Sequence, residues 1–263
     1  MQRTMKIAAC QMESKPLDLR KNIEIAKEYI NIAKQKEVSV VCFPELCLSG
    51  YHLVHKEIYP VSLKINSDEI NEFRNIAKEN NQVIILPFAE RTKIPGQMFN
   101  TAVIIDDSGE IAGVHRKFYL WDDEKHCFRR GDKFMSYSTS KAKIGINICY
   151  DAEFSEPPRI NALQGAQILF VPSVWSFTAE PRWDIQLPAR ALDNSFYVVG
   201  VNTIGENACG KSIFLSPEGE ILKQAPVKEE EILICEVNLA EVDKVRGKIP
   251  YIKDYEEGLF DQI

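Results

Sequence analysis

Short apolar runs, each about one strand long, punctuate this chain and are separated by segments whose apolar residues recur at helical spacing. Lys6 to Cys10, Val38 to Phe43, Val83 to Phe88, Lys143 to Ile148, Ile168 to Pro172 and Tyr197 to Val201 read as strands. Leu19, Ile23, Ala26, Ile30 and Ala33 fall on one face of a helix predicted over Leu17 to Lys36, while Lys21, Asn22, Glu24, Lys27, Glu28 and Lys34 take the other. Asp18 at its start and Lys34 and Lys36 at its end suit the helix dipole. Further helices are predicted at Ser67 to Asn80, around Pro157 to Gln164, and at Trp183 to Asn194. Continuous rather than alternating apolar strands imply sheets covered by helices, hence an α/β layered fold.

Two segments repeat a pattern. Thr101 to Ala112 and Lys211 to Leu222 each run from an apolar strand through a turn ending in Gly109 or Gly219 to Glu-Ile and a second strand. This is a hairpin signature, and each hairpin follows a strand–helix–strand stretch. Two facing, pseudo-duplicated sheets with helices outside are therefore expected, unless the likeness of the hairpins is coincidental. No Gly/Ser/Pro linker divides the chain, so residues 1–247 are expected to form a single domain and 248–263 a C-terminal tail.

The chain of 263 residues is long enough for a sizeable core. A net charge of -6, with acids and bases interleaved, leaves no basic face for nucleic acid. No apolar run approaches the roughly 20 residues of a bilayer span, and the apolar stretch in MQRTMKIAACQME is too short for a signal-peptide core, so the expected location is cytoplasmic, away from any membrane. Cys10, Cys42, Cys47, Cys127, Cys149, Cys209 and Cys235 include no CxxC, and at least five of the seven are expected to be small buried hydrophobes. His52, His55, His115 and His126 are scattered, so no metal site is expected.

Three residues stand at strand ends. Cys149 closes an apolar strand just where the pattern turns polar and helical. Such an elbow can hold a nucleophile near amide donors that favour thiolate, although a cysteine there can equally be packing. Glu45 follows the strand broken by Pro44 and could be a partly buried base or a solvated loop acid. Lys117 follows the first hairpin and could be an electrophilic clamp or a surface lysine.

Together, FPELCLSGY at 43–51, HRKFYLWDDE at 115–124 and ICYDAEFSEPPR at 148–159 resemble, in order and spacing, the three signature blocks of the nitrilase superfamily of carbon–nitrogen hydrolases. The resemblance continues through KIAACQME, ILFVPSVW, PARALDNSFYVVGVNTIGEN and the GKSIFLSPEGEIL hairpin to a C-terminal KIPYIKDYEEGLF. It implies a four-layer α-β-β-α sandwich and a Glu-Lys-Cys set: Glu45 as general base, Lys117 as transition-state clamp, Cys149 as nucleophile, and Glu124 orienting Lys117 or holding substrate. The Tyr150 backbone N–H would share the oxyanion with Lys117, and Tyr51 and Trp175 would be pocket walls, or else packed aromatics. No metal or organic cofactor is implied.

Tyr150-Asp151 after the cysteine resembles the amidase branches; nitrile hydrolysers tend to carry Trp-Glu there. The expected substrate is accordingly a small carboxamide, with N-carbamoyl compounds or nitriles as alternatives and a catalytically silent binding protein as a further one. A papain-like reading would instead need His115 or His126 as base. Glu153, Glu156 and Arg159 read as a structural charge cluster. Asn207 to Lys211 lacks the aromatic-Gly-His common in the family, which leaves that contact unassigned. The apolar tail residues Ile249, Tyr251, Ile252, Tyr255 and Phe260 must cover something, and family resemblance suggests that the tail crosses to a partner subunit while helices near 155–165 and 184–194 pack on their symmetry mates, giving a homodimer or higher homo-oligomer; a tail folded back over its own sandwich is the alternative.

Overall fold

In the computed structural model, which describes residues 4–256 and 258, the duplication read from the hairpins extends to whole sheets. The strands are β1 (Thr4–Gln11), β2 (Val40–Cys42), β3 (Val83–Arg91), β4 (Met98–Ile105), β5 (Ile111–Arg116), β6 (Ser136–Ser138), β7 (Lys143–Ile146), β8 (Ile168–Ser173), β9 (Tyr197–Asn202), β10 (Ile213–Leu215), β11 (Ile221–Gln224) and β12 (Glu231–Asn238). One sheet runs β12-β1-β2-β3-β4-β5, the other β6-β7-β8-β9-β10-β11. In each, three central strands are parallel, a hairpin adds two antiparallel strands at one edge, and one antiparallel strand closes the other. Gly109 and Gly219 both have φ of 81°, and matching bonds from Gly109 N to Asp106 O and Gly219 N to Ser216 O close the two hairpin turns. Only glycine takes that backbone conformation without strain.

The helices are α1 (Leu19–Gln35), α2 (His55–Val61), α3 (Asp68–Asn80), α4 (Glu124–Cys127), α5 (Glu156–Leu163), α6 (Glu180–Asn194) and α7 (Ala240–Lys248). The apolar stripe of α1 packs with Phe73 and Ala77 of α3 on the outer face of the first sheet. Trp183, Leu187 and Ala191 of α6 and Ala162 of α5 cover the second. Between the sheets, Ile7, Val40, Ile85 and Ile104 meet Ile144, Ile146, Phe170, Val199 and Phe214. Four layers, α-β-β-α, result.

The α1 helix is shorter than its apolar periodicity suggested, because the Asp18 side chain caps it by accepting from Lys21 N at 3.0 Å. The strand expected over Val38 to Phe43 contracts to three residues. The pattern did not anticipate α2, α4, α7, β6 or β12. Six cysteines are buried and Cys149 is partly exposed, all of them free. Among the described residues no helix is long and apolar enough to cross a membrane. Ile252 of the tail packs against the α5–α6 core of its own chain, and Arg159 stands 6.0 Å over the Tyr255 ring. Phe260 lies outside the described residues.

Candidate active site

Every parallel strand ends at the same rim of the sandwich, and the candidate residues cluster there. Glu45 follows β2, where Leu46 turns the chain sharply with φ of 52°. Lys117 extends β5 by one residue: its N–H donates to Asn100 O at 2.8 Å and its carbonyl accepts from Gly131 N at 2.7 Å. Gly131 has no room for a side chain there, since a Cβ would lie 2.1 Å from Arg116 O. Cys149 follows β7 at φ of 47° and opens a 3-10 turn over Cys149–Glu153. Left-handed backbone at a residue with a Cβ is strained, as expected of an elbow that lifts a side chain clear of its strand.

Lys117 Nζ donates to Glu45 Oε1 and to Glu124 Oε1, both at 2.7 Å, and all three side chains are removed from solvent. Glu45 Oε1 also accepts from Asn100 Nδ2 at 2.7 Å, and its Oε2 from Val174 N at 2.9 Å. Glu124 accepts further from the Tyr51 hydroxyl and from Trp121 N, each at 2.9 Å. Cys149 Sγ lies 4.0 Å from Val174 O, beside the residue that holds Glu45.

Burial favours neutral forms here, and the charges oppose or reinforce it. It pushes the Glu124 carboxyl up to about 7, with Lys117 pulling down and Glu45 pushing up. It would lower the Lys117 ammonium, but Glu45 and Glu124 outweigh it and hold the pKa above the usual lysine range. Burial and then Glu45 raise the Cys149 thiol well above its ordinary value, against the pull of Lys117. The elbow therefore does not favour a resting thiolate, as its amide donors had suggested; desolvation and two nearby carboxylates dominate.

The arrangement unites Glu45, Lys117, Glu124, Tyr51 and the Cys149 elbow, but Trp175 faces elsewhere. Its indole packs on Trp183 and donates to Ala179 O at 2.8 Å, so it is core packing and not a pocket wall. The Tyr150 ring packs edge-on against Trp121 and Phe154. Glu153 pairs with Arg182 at 2.8 Å rather than forming the expected cluster with Arg159.

Two supporting residues escaped the sequence reading. Asn100 is a fully buried amide beside Thr101 in a strand whose other residues are apolar, a signal that could have exposed it. Asp151, noted only as a branch marker, accepts from Phe118 N, Tyr119 N and Ile148 N, and so ties the lysine segment to the elbow. A cavity of about 520 Å3 opens over Glu45, walled by Tyr51, Trp121 and Val174 together with loops 13–16 and 203–208. Among the described residues no cluster of three or more metal-ligating side chains occurs.

Such a site can move a proton between a carboxylate and a thiol beside a fixed cation. The Carbon-nitrogen hydrolase family profile matches residues 6–247, and the chain belongs to that family of the nitrilase superfamily. It is 32% identical over 242 residues to a nitrilase of Pyrococcus abyssi, covering 89% of this chain and 90% of the relative. To the omega-amidase NIT2 of Mus musculus it is 26% identical over 272 residues, covering 98% and 97%. It superposes with a TM-score of 0.82 on a Glu-to-Gln mutant of an amidase from Nesterenkonia sp. AN1, 25% identical and covering 98% and 96%, in which the active-site cysteine carries the acetamide moiety of fluoroacetamide. The expected sandwich and carbon–nitrogen hydrolase activity are thereby established.

Proposed function

We propose that this hydrolase is an amidase that releases ammonia from a small carboxamide through a thioester on Cys149. The observation that carries the reading is the Lys117 ammonium held 2.7 Å from both Glu45 and Glu124, next to a strained cysteine elbow. Glu45 takes the Sγ proton as sulfur attacks the amide carbon, which overcomes the raised thiol pKa at the moment of reaction. Lys117 Nζ and the Tyr150 N–H stabilise the oxyanion. Glu45 then gives its proton to the leaving nitrogen as the C–N bond breaks. It next deprotonates the water that attacks the thioester, and Cys149 departs and regains a proton. Glu124 and Tyr51 hold Lys117 in place, and no cofactor takes part. The Tyr150-Asp151 pair supports an amide over a nitrile as substrate. Intact-mass analysis after treatment with fluoroacetamide tests the nucleophile: Sγ bonds the methylene carbon as fluoride leaves, a single acetamide adduct mapped to Cys149 is expected, and an adduct on another cysteine instead refutes the reading.

The same proposal takes the working form to be a cytoplasmic homodimer of one domain, residues 1–247, with the tail at 248–263. Pairing of β1 with β12 draws both ends of that domain into one sheet. Ile185 on α6 is 69% exposed, with Leu163 and Leu192 exposed beside it on α5 and α6, an apolar face suited to a two-fold contact. Seven unpaired thiols fit a reducing compartment.

A further inference from the structure

The wall of the cavity over Glu45 has a one-sided charge. Glu13 and Glu206 join Glu45 in lining it, Tyr51 and Trp121 supply aromatic faces, and no lysine, arginine or histidine appears among its described lining residues. The cations nearby are engaged. Lys117 is held between Glu45 and Glu124, and Lys15, 2.7 Å from Glu13 Oε2, is offset by that carboxylate and offsets it in turn, so that among the described residues Glu206 is the wall acid with no cationic partner. Arg182, 5.9 Å from the Trp121 ring, is bound by Glu153, and Lys228 sits 5.8 Å over Phe177.

A substrate ending in a carboxylate would have to give up water in this cavity with no cation to receive it and with like charges on the wall. One ending in an ammonium meets the opposite situation. Carboxylates attract it, and the Trp121 face, 45% exposed, offers its π-electrons. We infer that the cavity selects amides whose far end is cationic, ranks neutral amides next and rejects half-amides of dicarboxylic acids, with Glu206 chiefly determining the choice and Glu13, partly offset by Lys15, adding to it. The inference rests on the amidase reading above.

A unit charge pair about 10 Å apart at an effective dielectric of about 20 is worth roughly tenfold in binding. Ammonia release from δ-aminovaleramide, hexanamide and the half-amide of adipic acid, matched in chain length, therefore tests the selection. The expected kcat/KM falls in that order, by about tenfold at each step. A Glu13→Gln, Glu206→Gln double variant should compress the cation-to-anion ratio at least about tenfold, through KM, as should high salt. A flat or inverted order, refusal of all three amides, or a ratio unchanged in the double variant overturns the selection. Fluoroacetamide labelling separates this failure from that of the parent reading. If Cys149 takes the adduct or fluoroacetamide is turned over with release of ammonia while the ratio is flat, only charge selection falls; if neither adduct nor ammonia appears, the amidase reading falls and the selection with it.

Discussion

His115 Nε2 and Asp151 Oδ2 stand 3.0 Å apart at a point where neither side chain touches solvent. Asp151 is thereby fixed while its two oxygens accept from Ile148 N, Phe118 N and Tyr119 N. One carboxylate thus joins the residue before Cys149 to the two residues after Lys117. Asp151→Ala would leave three backbone donors without this acceptor, at about 1–3 kcal/mol for each that finds no other partner. Asp151→Asn keeps the shape but loses one acceptor oxygen. We expect Asn to lower kcat about tenfold with little change in KM, and Ala to lower the melting temperature as well; steady-state kinetics and thermal melts decide.

Lys117→Met preserves aliphatic volume and removes the charge that the proposed mechanism aims at the oxyanion. The expected loss is about 10²–10³ in kcat, as for deletion of an oxyanion donor. Activity above a tenth of wild type would remove Lys117 from the chemistry.

Cys149→Ala should abolish turnover. Cys149→Gly should do so too, yet relieve the backbone at φ of 47°, offsetting the lost packing of a small side chain. The glycine variant is expected to melt no lower than the alanine variant, and calorimetry on the pair measures the strain in the elbow.

Glu124 sets a stability–pH relationship. Its carboxyl is pushed up from 4.5 to about 7, so the native state binds a proton that the unfolded chain has already released. Its contribution to stability is therefore complete below about pH 4.5 and is lost as the pH rises toward 7. A Glu124→Gln variant should lack this decline, and denaturant titrations of both proteins across that window reveal the difference.

Ile185→Asp places a charge in the exposed α5–α6 face. If that face joins two copies, light scattering should show a dimer for wild type at micromolar concentration and a chain of 30.0 kDa for the variant.

What the sequence revealed follows from local signals. Strands such as Val83–Arg91 and Ile168–Ser173 are covered on both faces, so their apolar runs are continuous. β12 carries Glu231 and Glu236 because it is an edge, and its pattern is diluted. α2 contains Pro60, and α7 is too charged all round to show a stripe. Glu45, Lys117 and Cys149 were legible as strand-end residues and motif positions. The sequence leaves Trp175 between pocket wall and packed aromatic, because its neighbour Val174 reaches the cavity while its own indole turns into the core. The loops at 13–16 and 203–208 have no pattern of their own, and their place at the cavity depends on how the two sheets stack.

Glu45 and Lys117 follow strands of one sheet and Cys149 a strand of the other, so the proposed base and nucleophile are brought together across the layer of Ile85, Ile104, Ile146 and Phe170 between the sheets. The core here acts as a spacer that sets a reacting distance. Trimming Ile104 or Ile146 to alanine, well away from any substrate, lets the sheets settle together, and misplacement by about 1 Å can cost about 10²-fold in rate. On the proposed mechanism, turnover in this protein is in that sense a gauge of its interior: a melting curve reads the cost of the cavity, and activity reads the change in sheet spacing.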